Sequence, residues 1–349
     1  MKKYQIVELP KASNDAGQKA PLDVIKIAEK RGFERLNLPV NGEDKNIFFK
    51  VKRQVKYIFN WNKIYKKIPS DSIVLIQYPA QHRELQKNNV LKKLKKDKNV
   101  KFIFIIHDID ILRGHQIYTK GYLTFDLMVY LADKIIVHNQ NMVDYMKKMG
   151  VSESKLINLK IFDYLRPDYK FQKSKFERSI TIAGNLSIEK SAYLKYLNKI
   201  PCTFNLYGPE FSLKAYNNVN YGGVLSPDSI PTVLNKGFGL IWDGSSIDTC
   251  AGIHGKYLKY NNPHKLSLYL SSNLPVIIWS QAAESSFVKN NGVGILVDSL
   301  MDIPALLNSM TSDDYDTMLN NVKNVAIKLS RGDYLNAALS KALVDWESE

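Results

Sequence analysis

Two hydrophobic patterns alternate along the chain. Short continuous apolar runs read as strands: residues 4–8, 73–76, 102–106 and 135–137, then 180–183, 203–207, 238–242, 274–279 and 294–297. Amphipathic stretches with helical spacing lie between them: 20–30, 90–98, 125–132, 142–148, 191–197 and 264–270, with a mostly helical tail from Tyr315. Unbroken apolar strands separated by helices predict parallel sheets covered on both faces. The alternation runs twice, and a polar stretch at 163–176 containing Pro167 divides the rounds. The expectation is an α/β chain with two Rossmann-like lobes facing across a cleft, residues 1–165 and 166–329, followed by a helical segment at 330–349. Ligands of open parallel sheets bind at the carboxyl ends of the strands, so those ends are where candidate chemistry is sought.

Composition narrows the class. Of 349 residues 45% are hydrophobic, enough for a substantial core. No apolar run approaches the ~18 residues of a spanning helix, and the basic N-terminus lacks the apolar core of a signal peptide. Cys202 and Cys250 are the only cysteines, so neither a disulfide framework nor a cysteine zinc site is expected. The chain reads as soluble and cytoplasmic. Its charge is lopsided: residues 1–160 hold 31 Lys and Arg against 16 Asp and Glu, while the remainder holds 18 of each. Either Lys usage merely solubilises the first half, or that half faces an anionic partner: nucleic acid, an acidic membrane leaflet or a phosphorylated substrate.

The richest stretch is 255–272. Pro263 stands where a helix would start, Asn262 is expected as its N-cap, and Lys259, His264 and Lys265 crowd its N-terminus. That is a diphosphate cradle without a glycine-rich loop; the simpler alternative is an ordinary capped surface helix. Strand ends supply Gly184-Asn185 with Lys190 close behind, Tyr207-Gly208, and Asp243-Gly244. Small residues admit a ligand to the backbone, and Tyr207 can stack on a base. In the first half, His107-Asp108-Ile109-Asp110 follows the strongest strand. Its Asp-x-Asp spacing occurs in some metal-dependent nucleotide-sugar enzymes, but one carboxylate or His107 acting as general base is preferred. The small, polar segment 9–20 reads as a substrate loop. No Gly-x-Gly-x-x-Gly, Walker loop, Gly-x-Ser-x-Gly or His-Glu-x-x-His is present. The basic runs 63–67 and 92–96, with aromatic neighbours, either dock on anionic lipid or are solvated helix faces.

The chain resembles bacterial GT-B glycosyltransferases of the galactofuranosyltransferase type, and the related glucosyltransferases that extend O-linked N-acetylglucosamine on serine-rich-repeat adhesins. The resemblance rests on Val7-Glu8-Leu9-Pro10 with Asn14-Asp15-Ala16-Gly17, Phe104-Ile105-Ile106-His107-Asp108, and Ala132-Asp133-Lys134-Ile135-Ile136-Val137-His138-Asn139. It continues through Ala183-Gly184-Asn185-Leu186, Leu206-Tyr207-Gly208 and, most specifically, Asn262-Pro263-His264-Lys265-Leu266-Ser267. One departure is the Lys-, Tyr- and Asn-rich 255–264, where many GT-B enzymes carry a Glu.

The resemblance implies the GT-B fold, with the tail crossing back to the first lobe. It implies a UDP-sugar donor on the second lobe and a glycan acceptor on the first. Lys259, Asn262, His264 and Lys265 fall near the diphosphate, Asn185 and Tyr207 near the nucleotide, and Asn14, Asp15 and Gly17 on the acceptor side. It also implies transfer of a hexose, galactofuranose first, with inversion, no metal and no cofactor, for cell-surface polysaccharide such as capsule or exopolysaccharide. The alternative within the family is a glucosyl- or N-acetylglucosaminyltransferase acting on an adhesin. A non-enzymatic protein binding nucleic acid or a membrane surface is the rival outside it. No recognition motif supports nucleic acid, a lipid-linked acceptor at the inner membrane face fits the basic half, and a homo-oligomer stays open.

Overall fold

The computed structural model describes all residues except 10–17, 40–45, 81–82, 115–121, 215 and 348–349. The first lobe runs β1 (Lys3–Leu9), α1 (Lys19–Lys30), β2 (Glu34–Pro39), α2 (Ile47–Lys67), β3 (Ile73–Tyr78), α3 (Lys87–Lys98), β4 (Lys101–Ile106), α4 (Phe125–Leu131), β5 (Lys134–Val137), α5 (Gln140–Lys148) and β6 (Leu156–Asn158). Its six strands are parallel in the order β2-β1-β3-β4-β5-β6. The run Phe102–Ile106 is wholly buried at the sheet centre, as an unbroken apolar strand requires.

The second lobe runs β7 (Lys175–Ala183), β8 (Thr203–Tyr207), β9 (Val219–Tyr221), β10 (Lys236–Ile241), α6 (Gly252–Tyr257), α7 (His264–Ser271), β11 (Val276–Trp279), α8 (Ser285–Asn291), β12 (Gly294–Val297), α9 (Ile303–Ser309) and α10 (Ser312–Arg331). Its sheet, also parallel, is ordered β12-β11-β10-β7-β8-β9. The helix expected over 191–197 is a 3-10 helix, Ala192–Lys199. Two Rossmann-like sheets make up the expected α/β architecture.

The last helix, α11 (Asp333–Glu347), packs on the first lobe. Gly332 ends α10 in the left-handed region, φ +85°, and a Cβ there would meet Ile27 at 2.7 Å. The chain therefore turns sharply and lays Leu335, Leu339 and Leu343 against Ile27, Ile103 and Ile136. Asp163 fixes the turn by accepting the N–H groups of Tyr334 (3.2 Å) and Leu335 (2.7 Å). Burial pushes its carboxyl up to about 8. Among the described residues no helix is long and apolar enough to cross a membrane.

Candidate functional site

The carboxyl end of β4 meets the second lobe through α6. Asp108 Oδ2 accepts from Arg113 at 2.9 Å, and Oδ1 accepts from the Tyr257 hydroxyl at 3.1 Å. The Tyr257 oxygen in turn accepts the Ile109 N–H at 3.3 Å. Partial burial raises the Asp108 pKa above the usual carboxylate range, while Arg113, Tyr257 and Lys190 pull it back. Its neighbour His107 is held differently. The ring stacks on Phe162 at 5.3 Å, and Nε2 donates to Gln77 Oε1 at 2.6 Å. Burial drives its pKa down to about 4, so it is neutral near pH 7 and a weak base. Of the two expected catalytic residues, Asp108 is the better proton acceptor.

In front of β1, β3 and β4 lies a cavity of about 200 Å³, with Leu22, Trp61, Pro79 and Leu123 as apolar wall and Asp108 at one side. Its polar wall holds a cluster that sequence reasoning missed. Lys87 is buried between Glu8, its hydrogen-bonded partner, and Glu84 at 3.7 Å. Trp61 Nε1 donates to Glu84. Burial works against the Lys87 charge, but the two carboxylates together hold its pKa above the ordinary value. The sequence signals for this cluster are confined to Glu8: its strand-end position and its place in Val7-Glu8-Leu9-Pro10. Asn14, Asp15 and Gly17 lie outside the described residues.

Across the cleft, the ends of β7, β8 and β10 form a floor. Gly208 has φ +143°, and a Cβ on it would stand 1.8 Å from the Gly184 carbonyl oxygen. The two strand ends thus pack backbone against backbone, which only glycine permits. Tyr207, half-buried, lies against the Gly222 backbone, where a Cβ would come within 2.2 Å of the ring. Asn185 is exposed and closes its own turn, accepting the Ser187 N–H at 2.7 Å. Lys265 Nζ donates to the Trp242 carbonyl at 3.0 Å and to Asp243 Oδ1 at 2.9 Å. Burial alone would raise the Asp243 pKa, but Lys265 and Lys190 hold it down. Burial of Lys265 outweighs Asp243 and lowers the Lys265 pKa. Lys190 therefore bears electrostatically on both Asp243 and, across the cleft, Asp108.

One expectation about the 262–265 stretch needs correction. Asn262 is not the N-cap: Pro263, with ψ 122°, occupies that place and α7 begins at His264. The Asn262 side chain points instead to the Lys160 carbonyl at 3.4 Å, and its N–H donates to His138 Nδ1 at 3.0 Å. His264 is held as a neutral ring, within its expectation as a cationic or donor group. Its ring stacks on Tyr164 at 5.2 Å, and burial lowers its pKa to about 3. Both residues belong to a seam joining the lobes. His138 Nε2 donates to the Ile106 carbonyl, and Asn139 Nδ2 reaches the carbonyls of Tyr260 and Asn261 and Glu284 Oε1 at 3.1–3.2 Å. Lys259 is exposed, with its ammonium 5.4 Å from the Trp279 ring. Among the described residues, no group of three or more His, Cys, Asp or Glu is placed to hold a metal ion.

Comparison with known proteins is consistent over the whole chain. The Glucosyltransferase 3-like N-terminal domain matches residues 3–161, and the Glucosyltransferase 3-like C-terminal domain matches 180–342. The chain is 32% identical to the β-1,6-galactofuranosyltransferase WbbI of Escherichia coli, across 98% of each chain. It is 24% identical to Glucosyltransferase 3 of Streptococcus gordonii, across 93% of this chain and 92% of that one. Among solved structures, sucrose-phosphate synthase of Thermosynechococcus elongatus superposes with a TM-score of 0.61 at 12% identity, covering 99% of each chain. HepE of Anabaena in complex with UDP superposes at 0.59 with 11% identity, covering 98% of this chain and 100% of that one. These two likenesses establish the shared fold.

Proposed function

The chain belongs to the glucosyltransferase 3-like family of GT-B glycosyltransferases, and from this premise we propose that it transfers galactofuranose from a UDP-sugar to a glycan acceptor. That membership sets aside the non-enzymatic reading. Glycosyl transfer is common ground of the relatives. The galactofuranosyl choice over a glucosyl one follows the higher identity to the β-1,6-galactofuranosyltransferase, 32% against 24%. A lipid-linked acceptor at an anionic membrane face suits the basic first lobe.

The observation that carries the reading is the approach of Asp108 to the second lobe, with Lys190 bearing on Asp108 and Asp243. The acceptor occupies the cavity beside Asp108, and the nucleotide lies on the glycine floor near Asn185 and Tyr207. Asp108 takes the proton of an acceptor hydroxyl. The acceptor oxygen attacks the anomeric carbon, the bond from that carbon to the UDP oxygen breaks, and its electron pair leaves with UDP. A β-linked product from an α-linked donor requires such inversion. Lys190 and the free N–H groups opening α7 stabilise the departing diphosphate, so no metal is needed. Lys265 is spent on Asp243 and acts by holding that strand end, and Lys259 lines the rim. Both Asp108 oxygens already have donors, and Asp110 opens the 3-10 turn at Asp110–Arg113, which leaves little of an Asp-x-Asp metal site.

Asp108→Asn tests the assignment. It keeps the side-chain volume, retains UDP affinity and lowers the transfer rate by about 10²–10⁴-fold, the range for losing a general base. Near-normal turnover would move the base elsewhere in the cavity, with Glu8 the first place to look.

A further inference from the structure

Helix α2 has two faces that both look like interfaces. Its inner face buries Tyr57, Trp61 and Ile64 under the sheet. Its outer face does not turn polar, as a surface helix ordinarily would. Phe48 is 74% exposed and Phe59 71%, with Val51, Val55 and Ile58 also exposed. At about 100° per residue these five project from one side, opposite Tyr57 and Ile64. The same helix carries seven Lys and Arg and no acid, with Glu43 and Asp44 before it. The neighbouring α3 adds exposed Lys92, Lys93 and Lys96.

An apolar stripe edged by ammonium groups matches a bilayer interface. Aromatic rings enter the boundary between headgroups and chains, while the cations meet anionic headgroups. A second copy of this chain is a poorer occupant, because a symmetric pairing would set two basic helices against each other. We propose that the outer face of α2, flanked by α3, is the surface that seats this enzyme on an anionic membrane. The proposal deepens the membrane-side acceptor reading above and rests on it. Trp61 lines the acceptor cavity from the inner side of the same helix, so seating α2 brings that cavity to the lipid surface.

The test is sedimentation of the full chain with phosphatidylcholine vesicles, with and without phosphatidylglycerol, at low and high salt. Binding is expected to need the anionic lipid and to fall with salt. The double variant Phe48→Ser with Phe59→Ser changes only exposed side chains. It should lower partitioning about tenfold or more and leave UDP affinity, measured by calorimetry, unaltered. Equal binding to neutral vesicles, or unchanged partitioning of the double variant, overturns the proposal. So does a dimer, seen by ultracentrifugation, that the double variant abolishes while vesicle binding is absent; the face would then belong to a second copy. Vesicle binding without any UDP affinity would instead count against the glycosyltransferase site and leave the docking face standing.

Discussion

Replacing Tyr257 with Phe removes one hydroxyl and nothing else from the contact between the lobes. That hydroxyl donates to Asp108 and accepts from the Ile109 amide. A hydrogen bond to a charged group contributes about 1.5–3 kcal/mol, equivalent to ~1–2 pH units at 1.36 kcal/mol each. The Asp108 side chain is 34% exposed, so water replaces part of the lost donor and the shift shrinks to about 0.5–1 unit. The sign follows from which form the hydroxyl favours. Tyr257 stabilises ionised Asp108 and lowers its pKa, so Tyr257→Phe raises it. A base that must be ionised then begins to work at higher pH. The assay is kcat/KM for transfer across pH, wild type against variant. The acid limb should move up by that amount, with little change on the plateau. A stationary limb in a variant of normal stability would refute Asp108 as the group whose ionisation is read. A shift to lower pH would refute the hydrogen-bond account itself.

Further expectations come from the seam and the floor. Burial raises Glu284 to about 8 from an ordinary value near 4.5. A carboxyl protonated in the folded state and ionised in the unfolded one contributes stability that fades as pH rises from about 4.5 through 8. Glu284→Gln should therefore gain on the wild type progressively across that window in denaturant titrations, and level off above it; a constant difference would contradict the raised pKa. Lys265→Ala leaves Asp243 buried and unpaired, which should cost about 3–5 kcal/mol of stability, whereas Lys190→Ala should cost little stability and weaken UDP binding about tenfold. Melting curves and calorimetry separate the two, and the reverse assignment would make Lys265 the diphosphate ligand.

What the sequence made legible was whatever depends on near neighbours. The runs at 73–76, 102–106 and 276–279 are continuous and apolar, and they are central strands. Edge strands such as β2 and β9 have polar, mixed sequences and leave no such trace. The sequence also put cationic or donor side chains beside one another at 264 and 265. It could not show that Asp243, 22 residues away, takes up Lys265, nor that burial makes His264 neutral. Asn262 failed for a subtler reason: proline fits both the N-cap and the first helical turn, and tertiary contacts to His138 and Lys160 decided between them. Lys87 and Tyr257 carry no motif, because partners up to 149 residues apart give them their setting.

In the proposed mechanism the strand ends and Lys190 of the second lobe hold a UDP-sugar without a metal. Calorimetric titration of the protein with UDP, GDP and ADP in the presence of a chelator tests this most directly. Saturable UDP binding is expected, with weaker or absent binding of the other two and no gain on adding magnesium. No heat from UDP, or affinity that appears only with magnesium, would contradict it.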